Sequence, residues 1–250
     1  MIKALILLGC LALGYLFGSI PNGVIIGKCF YGIDPRNAGS KNTGGTNVAR
    51  TVSKKAGLIT IFLDILKMII PVYIVFSIFT YCNEAKTFML GENQSENAFG
   101  IGNTLSELTY YLTACGCMIG HAYSVFLKFK GGKIVSTYGG ASICFFWPAL
   151  PLFGGIMFTI VKKTKMVSLA SIITSIIITI YSWIVYLLYA FGLSEVANWF
   201  TYFGCVPHIS IYLPILMTLG CALLIFRHRA NIKRSIAHEE NKTYLSLVDN

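Results

Sequence analysis

Apolar runs long enough to cross a bilayer fill most of this chain, and clusters of lysine and arginine punctuate them. The runs lie at about 2–27, 57–81, 107–127, 134–161, 166–190 and 209–226. About 20 apolar residues span the hydrocarbon core as a helix, and inside lipid every main-chain polar group must be bonded within the structure. Helix is therefore the predicted element throughout. Only 12% of the 250 residues are charged and 55% are hydrophobic, whereas a soluble domain carries roughly 25% charged residues. No sizeable polar domain remains once the runs are removed.

The run from Ile134 to Val161 holds Trp147-Pro148 near its middle. Proline lacks the N–H and disfavours helical geometry at the residue before it. Lys128, Lys130 and Lys133 precede this run, and Lys162, Lys163 and Lys165 follow it. Both clusters belong on the cytoplasmic side by the positive-inside rule, so a single span would force one of them outside. Two short helices, 134–147 and 149–161, satisfy the rule. Fourteen residues rise only about 21 Å, less than the hydrocarbon core, so this hairpin must pack against neighbours or line a polar cavity.

The expectation is one all-α integral membrane domain over 1–250. It has seven transmembrane helices, the N-terminus outside, an outer loop at 82–106 and a cytoplasmic tail at 227–250. Lys28, Arg36, Lys41, Arg50, Lys54 and Lys55 then face the cytoplasm together with the two lysine clusters and the basic tail. Lys3 and Lys86 fall outside, with Glu84, Glu92, Glu96, Glu107 and Glu195. The net charge of +10 follows from this asymmetry, and basic residues that hug span ends argue against a nucleic-acid partner. Eight cysteines are scattered without a CxxC pair and read as small hydrophobes. No metal constellation is visible, and no cofactor is expected.

With topology fixed, the unusual polar segments share the cytoplasmic face. The first is 18–55, where GSIPNG is followed by GSKNTGGTNVAR. Main-chain N–H groups and hydroxyls beside a cation are what a chain presents to a phosphate. Pro21 is placed to kink the first helix, bringing Ser19 and Asn22 near this loop. A short interfacial helix is predicted near 45–56, because Val48, Val52 and Ala56 recur at helical spacing with Arg50, Lys54 and Lys55 off the stripe. A surface helix held by anionic lipid is the plainer reading.

The second segment is 120–140. Gly131-Gly132-Lys133 precedes a helix carrying Ser136 and Thr137, a candidate anion nest with a point charge. It is not a Walker A loop, since Leu127 stands where that motif needs glycine. His121 reads more readily as a packed residue than as a catalyst. The third segment, 227–242, places His228 and Asn231 three apart on an emerging helix; a basic tail touching lipid is the alternative. Asp64 and Lys67 lie inside the second span, where charges mark function by default, or else neutralise each other.

Taken jointly, GYLFGSIPNGVIIGK, DPRNAGSKNTGGTNVARTVSKKAG, FLDILK, IGHAYSVFLKFKGGKIVST, VSLASI and RHRANIKRSIAHEENK resemble the bacterial PlsY-type acyl-phosphate:glycerol-3-phosphate acyltransferases. The resemblance implies seven membrane helices with a cytoplasmic active site. It implies transfer of an acyl group from acyl phosphate to the sn-1 hydroxyl of glycerol 3-phosphate, giving lysophosphatidic acid and phosphate at the start of phospholipid synthesis. A soluble acyl-phosphate-producing enzyme is the implied partner. Carried over residue by residue, Ser40, Arg50 and Lys133 handle phosphate, and His228 and Asn231 complete the pocket. Asn42, Thr46, Asn47, Gly131 and Gly132 shape it, and Asp64 and Lys67 join as substrate-binding candidates. The chain departs from the family pattern at Lys41 and Ile134, where the family usually has glycine.

An acyl phosphate is a mixed anhydride with a good leaving group, so no covalent enzyme intermediate is required. Placing the hydroxyl against the carbonyl and neutralising phosphate charge suffices. The His-x4-Asp signature of soluble-type acyltransferases is absent, because Phe126, Leu213, Lys233 and Thr243 occupy the fifth position after the four histidines. A transporter or flippase for a phosphorylated solute is the competing reading, although it calls for charges at mid-membrane and two similar halves. A non-catalytic membrane subunit is the third.

Overall fold

The structure is a computed structural model that describes residues 1–90, 105–146, 149–193 and 210–240. The chain forms two compact units, Met1–Cys144 and Phe145–Asn250. All six apolar runs are helical where they are described, and no strand occurs among the described residues.

In the first unit, α1 (Ile2–Ser19) breaks at Ile20-Pro21 and continues as α2 (Asn22–Tyr31). The short α3 (Gly45–Thr51) and the long α4 (Lys54–Tyr81) follow, then α5 (Asn83–Leu90), α6 (Leu105–Ala122) and the start of α7 (Val135–Phe146). The Ile2–Tyr31 segment and α4 are each long and apolar enough to cross a membrane. Helices α1 and α6 pack closely: a Cβ on Gly18 would collide with the Cys117 carbonyl, and one on Gly120 with that of Tyr15. Small residues bring membrane helices together in this way. Pro71 sits inside α4 and cannot bond the Lys67 carbonyl one turn back. The Cys117 thiol of α6 donates to that carbonyl instead, at 3.4 Å.

Two boundaries differ from expectation. The interfacial helix ends at Thr51, not near 56. Ser53 adopts an extended conformation, accepts from the Ala56 N–H at 3.1 Å and opens α4 as its N-cap. The stripe Val48, Val52 and Ala56 survives folded over this break, packed with Ile26 and Leu63. The segment read as an outer loop at 82–106 begins with helix α5. Lys3 secures it by donating to the Met89 carbonyl at 3.2 Å, and its Ala, Lys, Met and Leu are strong helix formers. Residues 91–104 lie outside the described residues, as does the predicted Trp147-Pro148 turn.

In the second unit, α8 (Ala149–Thr164), α9 (Val167–Ala190), α10 (Tyr212–Arg227) and α11 (Arg229–Ile236) follow one another. Helix α9 is long and apolar enough to span, and so are α10 and α11 taken together, with a 56° bend between them. Helix α7 has 12 residues and α8 has 16, about 18 and 24 Å, so both are shorter than a bilayer core. Helix α9 turns hydroxyls inward. Thr179 donates to Ser175 and Met217 carbonyls, and Trp183 donates its indole N–H to Thr218 at 3.0 Å. These bonds join α9 to α10.

Candidate functional site

The segment between α2 and α3 is organised by one buried side chain. Asn47, 2% exposed, donates its amide to the carbonyls of Pro35 at 2.6 Å, Asn42 at 2.8 Å and Ala38 at 3.4 Å. Its Oδ1 accepts the Ser40 N–H at 2.8 Å. The bonding capacity of Asn47 is thus used on the loop's own main chain, so it acts as scaffold. Asn42 Oδ1 caps the Gly44 N–H at 3.0 Å, and Thr46 is half-buried on the first turn of α3. Ser40 is half-buried and Arg50 exposed at the end of α3.

Asp34 closes the other side of the loop. It caps the turn at Pro35–Asn37, pairs with Arg36 at 2.6 Å and with Lys28 at 3.2 Å. The Arg36 side-chain hydrogen bond, against a smaller penalty from burial, holds the Asp34 carboxyl well below the usual carboxylate range. Arg36 is correspondingly raised. At Lys41 the backbone takes φ 54°, the left-handed region that glycine enters freely.

The Gly131-Gly132 turn is not the open anion nest expected of it. Gly131 N–H donates to the Ala122 carbonyl at 3.2 Å and Gly132 N–H to the His121 carbonyl at 2.8 Å. These are orphan carbonyls at the end of α6. A Cβ on Gly132 would strike the His121 imidazole, so the glycines serve close packing. Their effect is to fix Lys133, half-buried, at the entry to α7. Ile134 follows at φ 57° and 0% exposure. Its carbonyl accepts the Tyr138 N–H at 2.7 Å and the Thr137 hydroxyl at 3.0 Å. A β-branched residue in this region is a genuine outlier.

Thr43 of the loop and Gly131 of the turn line one small cavity, with Asn22, Asp64, Lys67 and His121. Asp64 and Lys67 form a buried ion pair at 2.9 Å. Asn22 donates to Asp64 Oδ1 at 3.0 Å, and Lys67 donates to the Ile20 carbonyl at 2.8 Å. Both charges face each other and the helix break, which does not suit the substrate-contact role expected of them. His121 Nδ1 stands 3.9 Å from Asp64.

In the second unit His228 is buried at the α10–α11 bend, its Nδ1 2.8 Å from the Leu224 carbonyl. A carbonyl only accepts, so this contact puts the proton on Nδ1 and leaves Nε2 the acceptor when the ring is neutral. Asn231 donates to Glu240 at 2.6 Å, Ser168 to the same oxygen at 2.9 Å, and Arg234 to the other at 3.1 Å. Burial pushes the Glu240 carboxyl up, but the bonds from Asn231 and Ser168 and the charge of Arg234 outweigh it and leave it below its ordinary value. Sequence reasoning missed Glu240. The available signal was a carboxylate following an otherwise cationic helix.

Helices of this length and hydropathy, with charges satisfied inside them, define an all-α integral membrane protein. Residues 8–238 match the family model described as glycerol-3-phosphate acyltransferase. Glycerol-3-phosphate acyltransferase of Bacillus subtilis is 34% identical over 92% of this chain and 94% of its own. Glycerol-3-phosphate acyltransferase 2 of Bacillus cereus is 32% identical over 93% and 92%. The crystal structure of PlsY, an integral membrane glycerol 3-phosphate acyltransferase, is similar in its glycerol 3-phosphate form, with TM-score 0.67, 29% identity and coverage of 97% and 98%. Its lysophosphatidic acid form gives TM-score 0.68 at 28% identity, covering 97% of each chain. The chain belongs to the glycerol-3-phosphate acyltransferase family, the acyltransferases of phospholipid synthesis.

Proposed function

We propose that this protein transfers an acyl group from an acyl phosphate to the sn-1 hydroxyl of glycerol 3-phosphate on the cytoplasmic face of the cell membrane. The observation that carries this reading is the likeness, over nearly the whole chain, to an acyltransferase crystallised in glycerol 3-phosphate and lysophosphatidic acid forms. The hydroxyl oxygen attacks the acyl carbon and the carbon–oxygen bond to phosphate breaks. Lysophosphatidic acid and inorganic phosphate result.

Each residue has a physical part. Arg50 clamps phosphate oxygens bidentately, and Lys133 supplies a point charge. Ser40 adds a hydroxyl donor from the loop that Asn47 holds. Within the second unit, His228 and Asn231 present an imidazole and an amide. The hydroxyl proton passes to the substrate's own phosphate, so no acyl-enzyme forms. A soluble acyl-phosphate-producing enzyme supplies the donor.

Purified protein given acyl phosphate and glycerol 3-phosphate should release lysophosphatidic acid and phosphate one for one. Intact-mass analysis with donor alone should show no acyl adduct. Solute flux in sealed liposomes without product formation would instead identify a transporter and overturn this reading.

A further inference from the structure

We propose that Asp64, Lys67 and Asn22 are positioning residues: a buried charged strut that holds the broken first helix, and through it the loop 33–51, in the phosphate-competent arrangement. The proposal rests on the acyltransferase reading above and assigns these residues no contact with substrate.

The argument begins at Ile20-Pro21. Ending α1 there exposes main-chain groups at membrane depth, and each must find a partner. Lys67 Nζ takes the Ile20 carbonyl at 2.8 Å, and the Ser124 hydroxyl takes that of Ser19 at 2.5 Å. A lysine so placed needs a counter-charge, which Asp64 provides one turn earlier on α4 at 2.9 Å. Asp64 then reaches across to Asn22, the first residue of α2, at 3.0 Å. Both ends of the break are therefore fixed to one point on α4. The Lys67 and Asp64 side chains are 6% and 3% exposed, so the two charges rely on each other and on these bonds rather than on bulk water.

Helix α2 is the platform for the loop. A Cβ on Gly23 would strike the Thr43 carbonyl, and one on Gly27 would crowd the Ile33 carbonyl and the Pro35 ring. Ile26 packs on Val48 and Ala56. Thr43 lines the cavity beside Asn22, Asp64 and Lys67. Releasing α2 from Asp64 thus loosens the segment that carries Ser40 and Arg50, while α1, α4 and α6 remain packed.

The arithmetic of a population shift gives a specific signature. If only a fraction of molecules holds the loop in place, apparent affinity falls by that fraction and turnover at saturation is kept. Losing one hydrogen bond to a charged group changes such an equilibrium by roughly tenfold. Removing Asp64 alone would strand the Lys67 charge and unfold the span, so the informative variants are N22A, which keeps the ion pair, and D64N/K67M, which removes both charges.

The test measures amide exchange over residues 33–51, thermal unfolding, and steady-state kinetics on purified N22A and D64N/K67M. The expected result is about tenfold faster exchange confined to that segment, an unfolding midpoint close to wild type for N22A, and KM for glycerol 3-phosphate raised by at most about tenfold with kcat within about twofold. Unchanged exchange and unchanged KM in both variants would overturn the proposal. So would a raised KM without faster exchange, because that pattern means direct substrate contact. A wild-type protein that makes no lysophosphatidic acid would sink the acyltransferase reading, whereas the exchange result would still decide the strut.

Discussion

Replacing Asn47 separates a scaffold role from a substrate role. Three well-formed bonds depend on it, at 2.6, 2.8 and 2.8 Å. At about 1 kcal/mol net for each, N47A should weaken the closed loop by about 3 kcal/mol, on the order of a hundredfold in its opening equilibrium. N47D is the sharper variant because it is isosteric. One aspartate oxygen can still accept the Ser40 N–H. The other would meet the Pro35 and Asn42 carbonyls as an acceptor facing acceptors, with a charge added. N47D should therefore be worse than N47A, an order that volume alone does not predict. Hydrogen–deuterium exchange of the amides from 38 to 47, read beside lysophosphatidic acid formation, measures both effects. Wild-type protection in N47D, or N47A falling below N47D, would refute the reasoning.

Arg50→Ala and Lys133→Ala should each abolish product formation almost completely while leaving the thermal unfolding midpoint unchanged; normal turnover in either removes that residue from the site. Lys41 and Ile134 share a left-handed backbone but differ in burial, so glycine should act oppositely at the two. K41G should stabilise by about 0.5 kcal/mol through relieved strain. I134G should destabilise by about 2 kcal/mol, because the lost buried side chain outweighs the strain returned. Thermal unfolding of the two variants checks the signs. Asp34 and Glu240 are both held below their ordinary values of 3.8 and 4.5. Each contributes its full stability above its unfolded value, loses it progressively below that value and has none left once pH falls through the lower folded value. Exchange protection around 33–37 should therefore hold down to about pH 3.8 and decline only below it, and loss of protection above that pH would contradict the Asp34–Arg36 geometry.

The helical architecture was legible because lipid leaves a chain little choice. Apolar length located the helices, and Pro21 announced the break at Ile20. Boundaries were harder where one pattern runs through two elements. Val48, Val52 and Ala56 keep helical spacing across the extended Ser53, and only the capping chemistry of that serine marks the division. Helix α5 hid behind Asn83 and Glu84, which read as loop, although AKTFML beyond them favours helix. The site was legible as residue types more than as roles. Asn47 looked like a ligand because asparagine often is one; its burial, invisible in sequence, makes it a scaffold. Gly131 and Gly132 looked like free amides, but the carbonyls ending α6 claim them, a demand raised ten residues upstream. Glu240 depends on the chain turning back after Ile236 and left no periodic trace. The Asp64–Lys67 pair was visible as two charges in a span, yet its work is defined by Ile20 and Asn22, far away in sequence.

The account centres on a single phosphate-handling face just below the inner leaflet. The most direct measurement is membrane-impermeant thiol labelling of cysteines placed singly at positions 50 and 133, in oriented vesicles, with the native exposed Cys29 and Cys82 replaced. Labelling of both positions from the cytoplasmic side alone is the predicted result. Labelling of either from the exterior would contradict the account.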